Sequence, residues 1–191
     1  LLFGIPEEKT PNGLLSKNSN DVIPKAIRAL KKNFGADLIV MSDICLCTYT
    51  DHGHCGLIVD SIIHNRSSVE ALVAMALNHA EAGVDIVAPS DMMDFRIGAI
   101  RHNLDINNFE DVSVLSYAIK HAGAYYGPFR DAAGSSPKFG DRKSYQMDPR
   151  NTREGLRDAF VDAEEGADYL MIKPALADLD LISKLRDMTL A

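Results

Sequence analysis

The chain has 191 residues, 46% of them hydrophobic and 25% charged, and a formal charge of −7. That balance is ordinary for a globular protein whose length fits one domain with one sizeable core. It argues against a nucleic-acid or anionic-membrane surface but not against a small anionic substrate held by a few arginines, and neither a roughly 20-residue apolar span nor a signal-peptide pattern occurs.

In chain order, apolar runs predict strands at residues 1–5, 38–41, 86–88, 112–116 and 169–172. Amphipathic periodicity predicts helices at residues 22–33, 68–82, 96–105, 153–165 and 180–186. In the second helix, Val69, Leu72, Val73, Ala76 and Leu77 recur at three- and four-residue steps, as a helix packed on a sheet requires. A short repeat punctuates the alternation: Gly35-Ala36-Asp37, Gly83-Val84-Asp85 and Gly166-Ala167-Asp168 each stand between a helical stretch and an apolar run. The glycine suits the left-handed position that ends a helix, and the run behind it suits a strand covered on both faces.

Strands alternating with helices indicate parallel α/β architecture, either an open doubly wound sheet or a closed (β/α)8 TIM barrel. The polar residues favour the barrel, in which chemistry gathers where strands end. Asp43 and Cys45 follow one predicted strand, Ser90 and Asp91 the next, Lys120 lies just past a third, and Lys173 ends a fourth. About five of the eight β/α units are then present. The first residues read as the middle of a strand without an initiator Met, and the last follow directly on a helical pattern, so a fragment is expected.

The only three cysteines, Cys45, Cys47 and Cys55, fall within eleven residues and are interleaved with His52 and His54. A strand ending in C-x-C and looping back through H-G-H-C gathers thiolates around a soft metal. Three protein ligands leave tetrahedral Zn²⁺ one open position, the pattern of catalytic sites. Clustered thiols of this kind favour a metal over disulfides and hence a reducing, cytoplasmic setting. His54 is expected to support the ligands from behind, while His52 stays open between ligand and turn residue. His64, His79, His102 and His121 are expected on surfaces, and Met92-Met93 in packing.

Lys173 ends an apolar strand and precedes Pro174, which predicts extended backbone and a buried stem. Burial lowers a lysine's pKa and makes the amine nucleophilic; the alternative is a lysine reaching out to solvent or to a carboxylate. Lys120 alone reads as an exposed lysine. Beside a second lysine at a neighbouring strand end, mutual repulsion favours one neutral amine, suited to a Schiff base. Arg130 and Arg142 bracket the Gly/Ser/Pro-rich segment 134–137, a candidate lid with guanidinium forks for a carboxylate. The competing reading pairs them at the surface with Asp131 and Asp141.

The run Asp43-Ile-Cys-Leu-Cys-Thr-Tyr-Thr-Asp-His-Gly-His-Cys-Gly56 resembles the zinc motif of the 5-aminolevulinate dehydratase (porphobilinogen synthase) family. The likeness continues in order through Val87-Ala-Pro-Ser-Asp-Met-Met-Asp94, Tyr126-Gly-Pro-Phe-Arg-Asp-Ala-Ala133, Phe139-Gly-Asp-Arg142 and Met171-Ile-Lys-Pro174, so it covers essentially the whole chain. It implies a (β/α)8 barrel that condenses two 5-aminolevulinates into porphobilinogen, with loss of two waters, in tetrapyrrole and heme biosynthesis. By motif, Lys173 and Lys120 would be the Schiff-base lysines for the propionyl-side and acetyl-side substrates. Cys45, Cys47 and Cys55 would hold zinc, Arg130, Arg142 and Gln146 would bind carboxylates, and Asp43 and Ser90 would line the site. Some members carry a separate Mg²⁺ site, which implies Asp158 as an acidic ligand.

The resemblance also implies a homo-octamer and an N-terminal arm, a first strand and two last strands that these 191 residues lack, so this piece alone is expected to be inactive. Three departures stand out: Phe95 in place of a usual Gly, Ala118-Ile119 in place of Ser-Ala, and Ala177-Asp178 in place of Pro-Tyr. The loop at Phe95 is expected to bend differently, and Ile119 to add bulk near an amine. Alternative readings are a class I aldolase-type lyase, which leaves the thiols unexplained, and an inactive metal-binding fragment.

Overall fold

The computed structural model describes residues 1–189. Four parallel strands form the main sheet: β1 (Met41–Ile44), β4 (Ile86–Pro89), β5 (Ser113–Lys120) and β6 (Tyr169–Lys173), in the order β1-β4-β5-β6. Between and around them run α1 (Val22–Phe34), α2 (Asn65–Glu81), α3 (Arg96–Ile106), α4 (Gly127–Ala133), α5 (Thr152–Glu164) and α6 (Leu179–Met188). A hairpin of β2 (Ile58–Val59) and β3 (Ile62–Ile63) follows the cysteine loop. Sequential parallel strands joined by helices are the repeating unit of the (β/α)8 barrel, of which this is an arc. Among the described residues no helix is long and apolar enough to cross a membrane.

The core sits between sheet and helices. All of β4 is buried, as for a strand covered on both faces. Ile27 of α1, Leu72 and Met75 of α2, Ile97, Ile100 and Leu104 of α3, and Val87 and Val114 of the sheet form one apolar cluster. Ile119, Ile172, Ala159 and Leu181 anchor a second cluster between β5, β6, α5 and α6.

The Gly-x-Asp repeat has a double role. Gly35, Gly83 and Gly166 adopt φ of 53°, 94° and 99°, which lets the chain leave each helix. The aspartate of the second and third repeats then ties the new strand to its predecessor. Asp85 accepts the Val40 N–H and Asp168 the Val114 N–H, both at 2.7 Å. Lys31 completes the Asp85 clamp at 2.8 Å.

Three expected boundaries move. The strand expected at 38–41 is β1, three residues later, and Leu38 and Ile39 are 38% and 67% exposed. Polar Ser42 enters the strand because buried His79 receives it, Oγ to Nδ1 at 2.8 Å. Asp43 therefore lies inside β1 and not behind it. The strand expected at 112–116 extends as β5 to Lys120, through a register irregularity between Ser116 and Ile119. Residues 1–5 form a single parallel bridge, Leu2 with Ser42, rather than a strand. Leu1, Phe3 and Ile5 have exposed side chains there, so little burial rewards further pairing.

The β2–β3 turn was not expected. Asp60 and Ser61 both take positive φ, 49° and 66°, the requirement of a tight hairpin, without the usual Asn-Gly signal.

Candidate active site

The C-terminal ends of the four strands bring the reactive residues together. Lys120 and Lys173 end β5 and β6 and stand directly opposite each other in register. Lys120 is 5% exposed and donates to the Ser90 carbonyl behind β4. Its ammonium lies 5.5 Å from the centre of the Tyr117 ring, and that of Lys173 lies 5.2 Å from the same ring. Phe129 and Tyr126, at 5.0 and 6.0 Å, close an aromatic cage around Lys173. Burial lowers the Lys173 pKa, and the nearby charge of Lys120 lowers it further. Pro174 follows through a cis peptide bond.

Asp43 is half-buried beside this pair. Burial pushes its carboxyl up to about 6, against the opposing pull of Ser90 and of the Lys120 and Lys173 charges. Its Oδ1 has no hydrogen-bond partner among the described residues. A carboxyl in this setting can take up or release a proton near neutral pH.

The three thiols converge where β1 ends. The Sγ atoms of Cys45, Cys47 and Cys55 all lie within 4.8 Å of one another, and all three residues are buried and free of disulfides. Cys45 caps the helical turn Leu46–Thr48, accepting the Cys47 N–H at 3.5 Å. Hydrogen bonds from the other two thiols pull the Cys55 pKa well down, aided by Arg142 and Lys120, while Cys45 and Cys47 are held up. Thiolates around a tetrahedral zinc sit about 3.8 Å apart, within the span of these three sulfurs. Three convergent soft donors with cationic neighbours fit Zn²⁺.

The expected lid packs on the cysteine loop. Arg142, 5% exposed, donates from Nη2 to the carbonyls of Gly53 (2.8 Å) and Ser135 (2.6 Å). Asp141 pairs instead with Lys143, at 3.5 Å. Arg130 lies over the Tyr126 ring at 5.3 Å, and its buried Nε has no partner among the described residues. Buried Gln146 likewise leaves both amide atoms unpartnered. These are donors and acceptors held dry, as a ligand-binding group requires. Gln146 lines a cavity of about 740 Å³ with Met92, Met93, Tyr145 and Asp158, whereas neither lysine lines it.

Other expected positions resolve differently. Asp158 lies on α5, paired with its neighbour Arg157 at 3.1 Å. Among the described residues the cysteines are the one set of three convergent metal-ligand groups. His54 contacts Phe139 and Tyr145, the latter packed against the thiols, and His52 turns to the Pro11 carbonyl at 3.2 Å. His64 and His102 are exposed, but His79 and His121 are buried, because Ser42 and Asp178 supply partners distant in sequence. Asp178 reaches His121 Nδ1 at 3.1 Å, which gives that departure a role in joining the ends of β5 and β6.

Ile119 adds no bulk at the amine. It faces α5, where the absence of a side chain on Gly155 makes room; a Cβ there would meet Ile119 at 3.0 Å. Phe95 adopts φ 61° with its ring 74% exposed, so it takes the backbone geometry glycine favours, at a cost of about 1–2 kcal/mol. The cage residues Tyr117, Tyr126 and Phe129 and the tyrosine at the thiols, Tyr145, were not singled out by the sequence. Tyr117 stands three residues before Lys120, and the irregularity in β5 brings both to the same space.

Residues 1–191 match the family model described as delta-aminolevulinic acid dehydratase. A curated protein of that name from Methanothermobacter thermautotrophicus is 52% identical over 187 residues, covering 98% of this chain and 57% of the relative. One from Bacillus subtilis is 48% identical over the same shares. A crystal structure of delta-aminolevulinic acid dehydratase (porphobilinogen synthase) from Toxoplasma gondii ME49, in complex with the reaction product porphobilinogen, superposes with a TM-score of 0.93. It is 44% identical, and the match covers 95% of this chain and 52% of that one. The chain thus spans between half and three-fifths of the length of these relatives.

Proposed function

Since the chain belongs to the delta-aminolevulinic acid dehydratase family, we propose that it carries the catalytic half of a porphobilinogen synthase, joining two 5-aminolevulinates with loss of two waters. The observation that carries this reading is the register-paired Lys120 and Lys173 beside three converging thiols.

Burial and the charge of Lys120 leave the Lys173 amine free of its proton at a lower pH than an ordinary lysine, so it attacks the ketone of the first substrate. Loss of water gives an iminium that acidifies the neighbouring carbon. Asp43, protonated or ionised according to its surroundings near pH 6, stands beside the pair to exchange the protons. Lys120 engages the second ketone, and the opposed strand ends hold the two substrates at a fixed separation, removing much of the entropic barrier. Arg130, Arg142 and Gln146 bind the carboxylates, and the lid excludes water. Cys45, Cys47 and Cys55 would hold Zn²⁺, which would supply a Lewis acid for the second substrate.

Asp158 is the residue we assign to a separate Mg²⁺, and a cytoplasmic homo-octamer is the state we assign to the whole protein. Porphobilinogen formation from 5-aminolevulinate by protein purified from the complete reading frame tests the function. Activity is expected, falling by at least about a thousandfold in Lys173→Met and accompanied by zinc loss in Cys47→Ala. Full turnover by the Lys173 variant would refute the proposal.

A further inference from the structure

Tyr145 is the partly buried side chain packed against the three cysteines, and its hydroxyl joins two segments. The Cys55 N–H donates to it at 3.3 Å, and it lies 3.0 Å from His54 Nδ1. His54 Nε2 lies 3.0 Å from the Phe139 carbonyl, which can only accept. The ring therefore carries its proton on Nε2, and in the neutral imidazole Nδ1 is an acceptor for the tyrosine hydroxyl. The result is a directed chain: Cys55 N–H to Tyr145, Tyr145 O–H to His54, His54 N–H to Phe139.

Cys55 and His54 belong to the cysteine loop, Phe139 and Tyr145 to the lid segment. Further ties run the same way. The Lys138 N–H donates to the His52 carbonyl at 3.0 Å, Arg142 holds the Gly53 carbonyl, and a Cβ on Gly53 would lie 2.4 Å from the Ser136 oxygen.

We propose that Tyr145 and His54 are a positioning pair that fixes Cys55 and fastens the three-thiol centre to the lid segment bearing Arg142 and Gln146. The inference rests on the reading of the thiols as a zinc site. Ligands on an ordered loop need less ordering when the metal binds, so affinity for zinc and order of the lid rise and fall together.

The test is zinc affinity, measured by competition with a chromophoric chelator on protein from the complete reading frame. Tyr145→Phe keeps the ring and removes the hydroxyl; zinc binding is expected to weaken about 10-fold or more. His54→Gln retains an acceptor for Tyr145 and a donor for Phe139, so it should bind zinc more tightly than His54→Leu. Zinc should also protect residues 134–146 from proteolysis in the unaltered protein and lose that effect in Tyr145→Phe. Zinc affinity unchanged in Tyr145→Phe, or equal losses in the two His54 variants, would overturn the pairing. Failure of the unaltered protein to bind zinc through Cys47 would overturn the metal reading beneath it.

Discussion

Burial and the charge of Lys120 lower the Lys173 pKa, Tyr117, Tyr126 and Phe129 surround its amine, and each neighbour can be varied singly. Because Lys120 lowers the Lys173 pKa, Lys120→Met should raise it. The alkaline rise of Schiff-base formation at Lys173 then moves to higher pH, and trapping at a fixed neutral pH slows. A pH profile of borohydride trapping measures this; a profile that stays in place would show that the two amines do not interact. The lysines and cysteines were legible in the sequence because their types are rare at strand ends and in one short loop. The cage was not, because Phe129 and Tyr126 reach Lys173 across more than forty residues of chain. The clamp of Arg142 on the Gly53 carbonyl was not legible, since its partner is a backbone atom that no residue type announces.

Among the elements, the Gly-x-Asp repeat is the most transferable feature. Its glycines were readable from their place between helix and strand, but the carboxylate clamp required seeing that Asp168 meets Val114. Asp168→Ala leaves a buried amide unpartnered and should destabilise the fold by about 1–2 kcal/mol in chemical denaturation, whereas Asp168→Asn keeps an acceptor and loses less. Equal loss in both variants would argue that the carboxylate acts through charge alone. Strand limits were less legible than strand existence. Hydropathy favours Leu38 and Ile39, yet the ladder runs through Ser42 and Asp43, and buried His79 receives the Ser42 hydroxyl. Helix α4 directly precedes the segment expected as a lid and was not expected, because Gly127 and Pro128 obscure its beginning.

At the scale of the molecule, the arc from β1 to β6 presents apolar side chains along both margins. Leu1, Phe3 and Ile5 are exposed beside β1, and Tyr169, Leu176 and Leu179 beside or after β6. These residues account for why the 191-residue chain should bind a hydrophobic dye strongly. A silent dye signal from this chain would contradict this. The barrel class was legible because four strands deliver polar groups at one end.

The central claim is that Lys120, Lys173 and the three thiols form one site for two copies of a keto acid. Borohydride reduction in the presence of 5-aminolevulinate, followed by peptide mass mapping, tests it most directly. The account predicts a reduced adduct on Lys173, with a second on Lys120 at higher substrate, and weaker labelling of Lys120 after zinc removal. Adducts spread over surface lysines, with Lys173 unmodified, would contradict it.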